Sequence, residues 1–161
     1  MNKLSPSRLL LALVLGFAWA LAFPEPGWSG LAWLVPGTLL VMVAGINGWR
    51  LFGLAFLAAL VFRLVSLRFL LNIPHVPGAF SGWLALSIYS ALFPAIWVSL
   101  CGICFRFELR IDQWPWFKRF CFGLFVSALW VGIEMFQARL IGGYPWNFLG
   151  VTQFENKPLI Q

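Results

Sequence analysis

From its first residues the chain alternates stretches that are almost wholly apolar with short breaks of Pro, Gly, Asn and charged residues. Five apolar stretches stand out, at residues 9–23, 28–46, 51–71, 83–104 and 117–141. A helix crossing the hydrocarbon core of a bilayer takes about 20 apolar residues, so each stretch predicts one transmembrane helix. The breaks between them are helix stops. Pro24-Glu25-Pro26-Gly27 closes the first stretch, Asn47-Gly48 the second, the run from Asn72 through Pro74, His75 and Pro77 to Gly78 the third, and Gly142-Gly143 the fifth. Pro94 lies inside the fourth stretch and predicts a kink there. The expected fold is all-α: a polytopic bundle of about five membrane helices, followed at residues 142–161 by a loop and the start of a further segment.

Composition supports the same solvent. The chain is 61% hydrophobic and 10% charged, whereas a soluble domain carries about 25% charged residues. Too few polar groups exist to cover a water-exposed surface, so the lipid bilayer is the expected surroundings. A net charge of +6 would point to nucleic acid in a soluble protein. In a polytopic membrane protein it reflects the excess of Lys and Arg on the cytoplasmic side, and no nucleic-acid partner is expected.

With the N-terminus inside, the cytoplasmic ends hold Lys3, Arg8, Arg50, Arg106, Arg110, Lys118 and Arg119. The opposite breaks, at 24–27 and 72–82, hold Glu25 and His75 and no Lys or Arg. That asymmetry orients the bundle with its N-terminus in the cytoplasm and residues 142–161 on the periplasmic side. The first stretch also imitates a secretory signal peptide, with Lys3 and Arg8 before it and Ala20-Leu21-Ala22 near its end. Because more spans follow at once, an uncleaved helix is expected. Cys101, Cys104 and Cys121 all lie in or beside apolar segments, and His75 is the sole histidine. The Cys101-x-x-Cys104 spacing therefore lacks a second ligand pair, and neither metal nor cofactor is expected.

Three charges interrupt the spans: Arg63, Arg68 and Glu134. Each costs about 2.5–3.5 kcal/mol at a bilayer centre on insertion scales, so each should face protein or water and find a partner. At 1.5 Å per residue from the cytoplasmic ends, Arg63 lies about 18 Å deep, Arg68 about 26 Å and Glu134 about 20–25 Å. Those depths make Arg63 or Arg68 the expected ion-pair partner of Glu134. The plainer expectation for Arg68 is a side chain reaching to the periplasmic headgroups, and for Glu134 a buried structural acid.

One segment carries a more specific pattern. Ala128-Leu129-Trp130-Val131, Glu134, Gly143-Tyr144-Pro145-Trp146-Asn147, Gly150 and Gln153 together resemble the apolipoprotein N-acyltransferase family of the bacterial inner membrane. In that family a Glu lies twelve residues before the Trp of a Gly-Phe-Pro-Trp motif, the interval that separates Glu134 from Trp146. Weaker likeness runs along the rest of the chain: residues 9–23 followed by Pro24, Gly53 through Pro74, and Ala91-Leu92-Phe93-Pro94-Ala95. Departures from the family pattern are Arg68 in place of a frequent aromatic residue, Gln137 in place of Arg, and Tyr144 in place of Phe. Arg139 is the candidate to supply the charge missing at Gln137.

The resemblance implies an enzyme that moves an acyl chain from a phospholipid to the N-terminal amine of a diacylglyceryl-cysteine on an apolipoprotein. It implies a thioester on a cysteine, supported by Glu and Lys, in a nitrilase-like periplasmic domain that follows the spans. A thiolate suits such a step because it is nucleophilic near neutral pH and divides acyl transfer into two easier reactions. No Cys–Glu–Lys constellation is visible in these 161 residues. The chain is therefore expected to be an N-terminal portion without catalytic residues, inactive alone and serving as anchor and lipid access. Glu134, Tyr144, Pro145, Trp146 and Asn147 are the candidates for the lipid-access side. For Trp146 an interfacial aromatic belt explains the residue equally well, and Trp28, Trp33 and Trp97 read as belt or packing residues. His75 reads as a plain loop residue. Two other classes compete: a small transporter or channel subunit using Arg63, Arg68 and Glu134 as a path, and a non-catalytic membrane module of the same descent.

Overall fold

The computed structural model describes residues 5–24, 26–73, 77–105, 113–142 and 146–160. Glu25, His75, Arg106, Arg110, Tyr144 and Pro145 lie outside the described residues, as does Lys3. Among the described residues five α-helices of 12 residues or more make the fold: α1 (Pro6–Leu21), α2 (Leu31–Met42), α3 (Trp49–Ser66), α4 (Ala79–Phe105) and α5 (Trp116–Gln137). A final short turn of helix, α6, covers Lys157–Ile160. Among the described residues there is no strand, and the all-α bundle expected from the sequence is the architecture present.

Helix ends follow local chemistry more closely than hydropathy. Pro6 opens α1 at its first position, where the missing N–H is unused and the fixed φ suits a helix. Gly48, at φ 64, takes the left-handed turn that separates α2 from α3. The second apolar stretch gives only 12 helical residues, about 18 Å of helix, because residues 28–30 and 43–46 form its flanking turns. The third stretch changes character after Ser66, where a 3-10 turn continues over Arg68–Asn72. Among the described residues three helices, α3 with its extension, α4 and α5, are long and apolar enough to cross a membrane. The other two, α1 and α2, are shorter apolar helices.

Contacts fix an up-and-down arrangement. Along α1 and α3, Gly16 lies against Ala58 and Val61, and Trp19 stacks on Phe62 with ring centroids 4.2 Å apart, so these helices run in parallel. The α4 helix runs against both neighbours: Trp83 Nε1 donates to the Leu64 carbonyl at 3.1 Å, and Trp97 Nε1 to the Val126 carbonyl at 2.9 Å. Consequently the ends of α1, α3 and α5 share one side of the bundle with the starts of α2 and α4.

The core is built of small residues that bring backbones close, Ala12, Ala55, Ala58 and Ala59, and of a linked aromatic row. In that row Phe23 meets Phe62, Phe62 meets Trp19, Trp19 meets Trp130, and Trp130 meets Trp97 edge-on at 4.8 Å. Small residues matter here because lipid removes the hydrophobic drive between helices and leaves packing and hydrogen bonds to hold them. The outer surface is apolar too: Leu10, Phe17, Val41, Phe117, Phe120 and Leu124 are all exposed. Such a surface is stable against hydrocarbon and not against water.

Candidate functional site

Residues 146–153 lie as a strap across the end of the bundle where α1, α3 and α5 finish. Helix α5 stops at Gln137, and Ile141 then takes a left-handed conformation, φ 53, that turns the chain sharply. Asn147 is left-handed as well, φ 58, a conformation Asn tolerates better than most residues. Phe148 is extended, and Leu149–Gln153 forms a 3-10 turn in which the buried Thr152 hydroxyl donates to the Leu149 carbonyl at 2.7 Å.

Side-chain hydrogen bonds to α3, to α5 and to the break before α2 hold the strap. The Leu149 N–H donates to Glu134 Oε1 at 2.8 Å, tying the strap to α5. Arg63 Nη1 donates to the Trp146 carbonyl at 3.4 Å, and Asn147 Nδ2 donates to Ser66 Oγ at 2.9 Å, tying it to α3. Gln153 Nε2 donates to the Ser29 carbonyl at 3.0 Å, reaching the break before α2. In addition, the Trp146 ring lies 5.5 Å from that of Phe69. Arg63 and Ser66 are three apart on one face of α3, and Phe69 follows three residues later on the extension. The sequence therefore presents a cation, a hydroxyl and a ring along one edge, and the strap uses all of them.

Beneath the strap Arg63 and Glu134 line one small cavity of about 10 Å³ together with Trp97, Trp130, Gln137 and Pro94. Arg63 is 3% exposed, and its guanidinium sits 4.7 Å over the Phe62 ring. Away from water, such a contact contributes about 2 kcal/mol. The buried Arg63 and the half-buried Glu134 thus act on a common object: Glu134 accepts from the strap's backbone N–H and Arg63 donates to the strap's backbone carbonyl. Gln137 is also buried, at 1% exposure. A second cation there would crowd Arg63, which gives a physical reason for an amide at that position. Arg139 stays outside, exposed, with Nη1 donating to the Met135 carbonyl at 3.0 Å.

Arg68 lies apart from this cavity. It is exposed and lines an open groove of about 480 Å³ between the ends of α1 and α3, with Asn147 at its edge. Of the candidate residues, then, Glu134, Trp146, Asn147 and Arg63 come together, Arg68 sits on the neighbouring groove, and Tyr144 and Pro145 fall outside the described residues. Residue type alone does not single out Ser66, Phe69 or Ser29, because their role depends on the strap folding back over helices distant in sequence. Cys104 and Cys121 are exposed, Cys101 is buried, and all three are free thiols. They lie near the end of α4 and the start of α5, opposite the strap.

The likeness to known proteins extends over nearly the whole chain. The family model described as "Apolipoprotein N-acyltransferase N-terminal domain" matches residues 15–161. A protein named apolipoprotein N-acyltransferase from Geobacter metallireducens is 31% identical over 160 residues, covering 94% of this chain and 28% of its own length. Those of the same name from Gloeobacter violaceus and Coxiella burnetii are 29% and 30% identical, over 92% and 93% of the chain and 28% and 30% of their own lengths. The chain thus spans less than a third of each of these relatives.

Proposed function

Because this chain belongs to the apolipoprotein N-acyltransferase family, we propose that it is the membrane-embedded N-terminal portion of an enzyme that N-acylates apolipoproteins in the bacterial inner membrane. The acyl donor is a membrane phospholipid, and the acceptor is the N-terminal amine of a diacylglyceryl-cysteine. In this reading the helices anchor the protein as a multi-pass bundle, and the strap forms a floor at the periplasmic headgroup layer. Acyl chains approach along Trp146 and Asn147, with Tyr144 and Pro145 directly before them in the chain. Glu134 and Arg63 serve as positioning residues for that floor. The chemistry is supplied outside these residues, by the thiolate, Glu and Lys that the family resemblance implies.

The observation that carries this reading is the Glu134–Leu149 hydrogen bond. It closes the very segment whose spacing resembles the family, at a bundle end that the distribution of Lys and Arg turns away from the cytoplasm. The test is expression of the complete gene in a strain depleted of its own N-acyltransferase, with mass spectrometry of lipoprotein N-terminal peptides. Restored N-acylation is expected, and residues 1–161 expressed alone should leave the lipoproteins diacylated. Failure of the complete gene to restore N-acylation would overturn the enzyme reading. N-acylation by residues 1–161 alone would overturn the anchoring role.

A further inference from the structure

We infer that the small cavity beneath the strap, where α3, α4 and α5 meet, is a binding site for one internal water molecule, which joins the side chains of Gln137 and Trp130 to the Glu134 carboxyl group. The cavity holds about 10 Å³, room for a single water and for nothing larger. Arg63, Trp130, Glu134 and Gln137 supply its polar lining. Two donors on that lining have no acceptor among the described residues. Gln137 is 1% exposed, and its Nε2 is buried without a hydrogen-bond partner. Trp130 Nε1 is buried in the same way; it interacts with the Glu134 carboxyl group but stands outside hydrogen-bonding geometry with it. A buried donor left unmet carries the full penalty of its lost hydration, and two on one cavity carry it twice.

The chemistry of the lining selects the occupant. Trp130, Glu134 and Gln137 follow one another at helical spacing on α5, so all three share one face. Both unmet groups are N–H donors, which a cation does not suit, and a polyatomic anion is too large for the space. Water accepts two hydrogen bonds and returns two, and an internal water is held by two to four polar partners. One of its protons goes to Glu134, which already takes the Leu149 N–H at 2.8 Å on Oε1 and has further lone pairs to offer. On the α4 wall, Pro94 brings no N–H, so the Ser90 carbonyl lacks its helical donor; ordered water commonly meets such a carbonyl inside a membrane bundle. The water thus steadies Glu134 in front of the Leu149 N–H. Gln137 becomes a positioning residue that acts on the strap without touching it. The site stands independently of acyl transfer, since it rests on the cavity and its unmet donors.

The test uses the protein from its complete gene, in lipid nanodiscs, with isotope-labelled nitrogen in the side chains of glutamine and tryptophan. Magic-angle-spinning NMR reads magnetisation transfer from water to each labelled N–H at short mixing times. Transfer is expected at Gln137 Nε2 and Trp130 Nε1, the two signals being assigned by their loss in Gln137→Met and Trp130→Phe. Methionine keeps the length of glutamine without its donor, so Gln137→Met should also weaken transfer at Trp130. The same variant should speed hydrogen–deuterium exchange of the strap peptide containing Leu149 about fivefold, the effect of one hydrogen bond. Arg139→Gln, exposed and two residues on, should leave both readings unchanged. Absence of transfer at Gln137 in the wild type, or strap exchange at the wild-type rate in Gln137→Met, would overturn the site. Should Gln137→Met fail to fold, the wild-type spectrum alone decides.

Discussion

Adding one methyl group at Gly16 should loosen the whole bundle. A Cβ at this position would stand 2.3 Å from the Ala58 carbonyl oxygen and 2.8 Å from Val61 Cβ, against the 3.4 Å at which ordinary contact begins. The opposing oxygen is backbone, so no side chain can swing aside and α1 must move away from α3 by about 1 Å. That movement strains the Trp19–Phe62 stack three residues on, now 4.2 Å between centroids, and thins the packing along Ala12, Ala55 and Ala59. Gaps of 0.5–1 Å forfeit about a quarter to a half of the attraction between two atoms, and overpacking of a closed site costs about 1–3 kcal/mol. For a protein of this size that corresponds to a fall in Tm of about 3–10 °C. Thermal melts of Gly16→Ala in detergent, followed by tryptophan fluorescence, measure it directly. Gly30→Ala is the control, because nothing lies within 4 Å of a Cβ there. Equal melting of the two variants would refute the close crossing of α1 and α3.

Other expectations follow from single positions. Ile141 holds a left-handed φ of 53 while 81% exposed, so Ile141→Gly should remove strain with little sacrifice of packing and raise stability by about 0.5–1 kcal/mol; a lower Tm would contradict this. Trp97→Phe keeps most of the ring row but removes the Nε1 donor to the Val126 carbonyl, and should cost about 1 kcal/mol in the same melt. Cysteines placed at Asn47 and Asn156, both exposed and at opposite ends, should react with a membrane-impermeant maleimide from opposite sides, Asn156→Cys from outside in intact spheroplasts. Labelling of Asn47→Cys from outside would invert the orientation.

The bundle was legible from the sequence because a bilayer demands runs of apolar residues, and such runs are visible without any packing information. What hydropathy cannot carry is where a helix stops within an apolar run. Residues 28–30 and 43–46 are apolar enough to join α2, yet turns claim them, and Ser66 to Arg68 passes into a 3-10 turn inside the third apolar stretch. Among the described residues α2 is consequently short of the length that defines a crossing, as is α1, whose apolar stretch is itself brief. The site was half legible. Spacing singled out Glu134, Trp146 and Asn147, and depth along parallel helices offered Arg63 or Arg68 as the ion-pair partner of Glu134; Arg63 lines a cavity with Glu134, whereas Arg68 lines the neighbouring groove. The object they act on, the backbone of the strap itself, was not visible, since a main-chain N–H such as that of Leu149 leaves no signature in residue type. Arg68 and Arg63 look alike in sequence, five residues apart. The difference between a buried clamp and an exposed groove residue arises from helical phase and from the end of α3 between them.

Glu134 is the residue on which the strap's proposed part in acyl transfer depends. N-acylation by the complete protein should be compared for wild type, Glu134→Gln and Glu134→Ala, reading triacylated lipoprotein peptides per unit time at equal membrane expression. Glu134→Gln keeps an oxygen that accepts from the Leu149 N–H and should retain much of the rate. Glu134→Ala leaves that N–H without its acceptor, a loss of about 1–3 kcal/mol, and should slow N-acylation about tenfold or more. N-acylation at the wild-type rate in Glu134→Ala would mean that the strap is not held for acyl transfer by this acid.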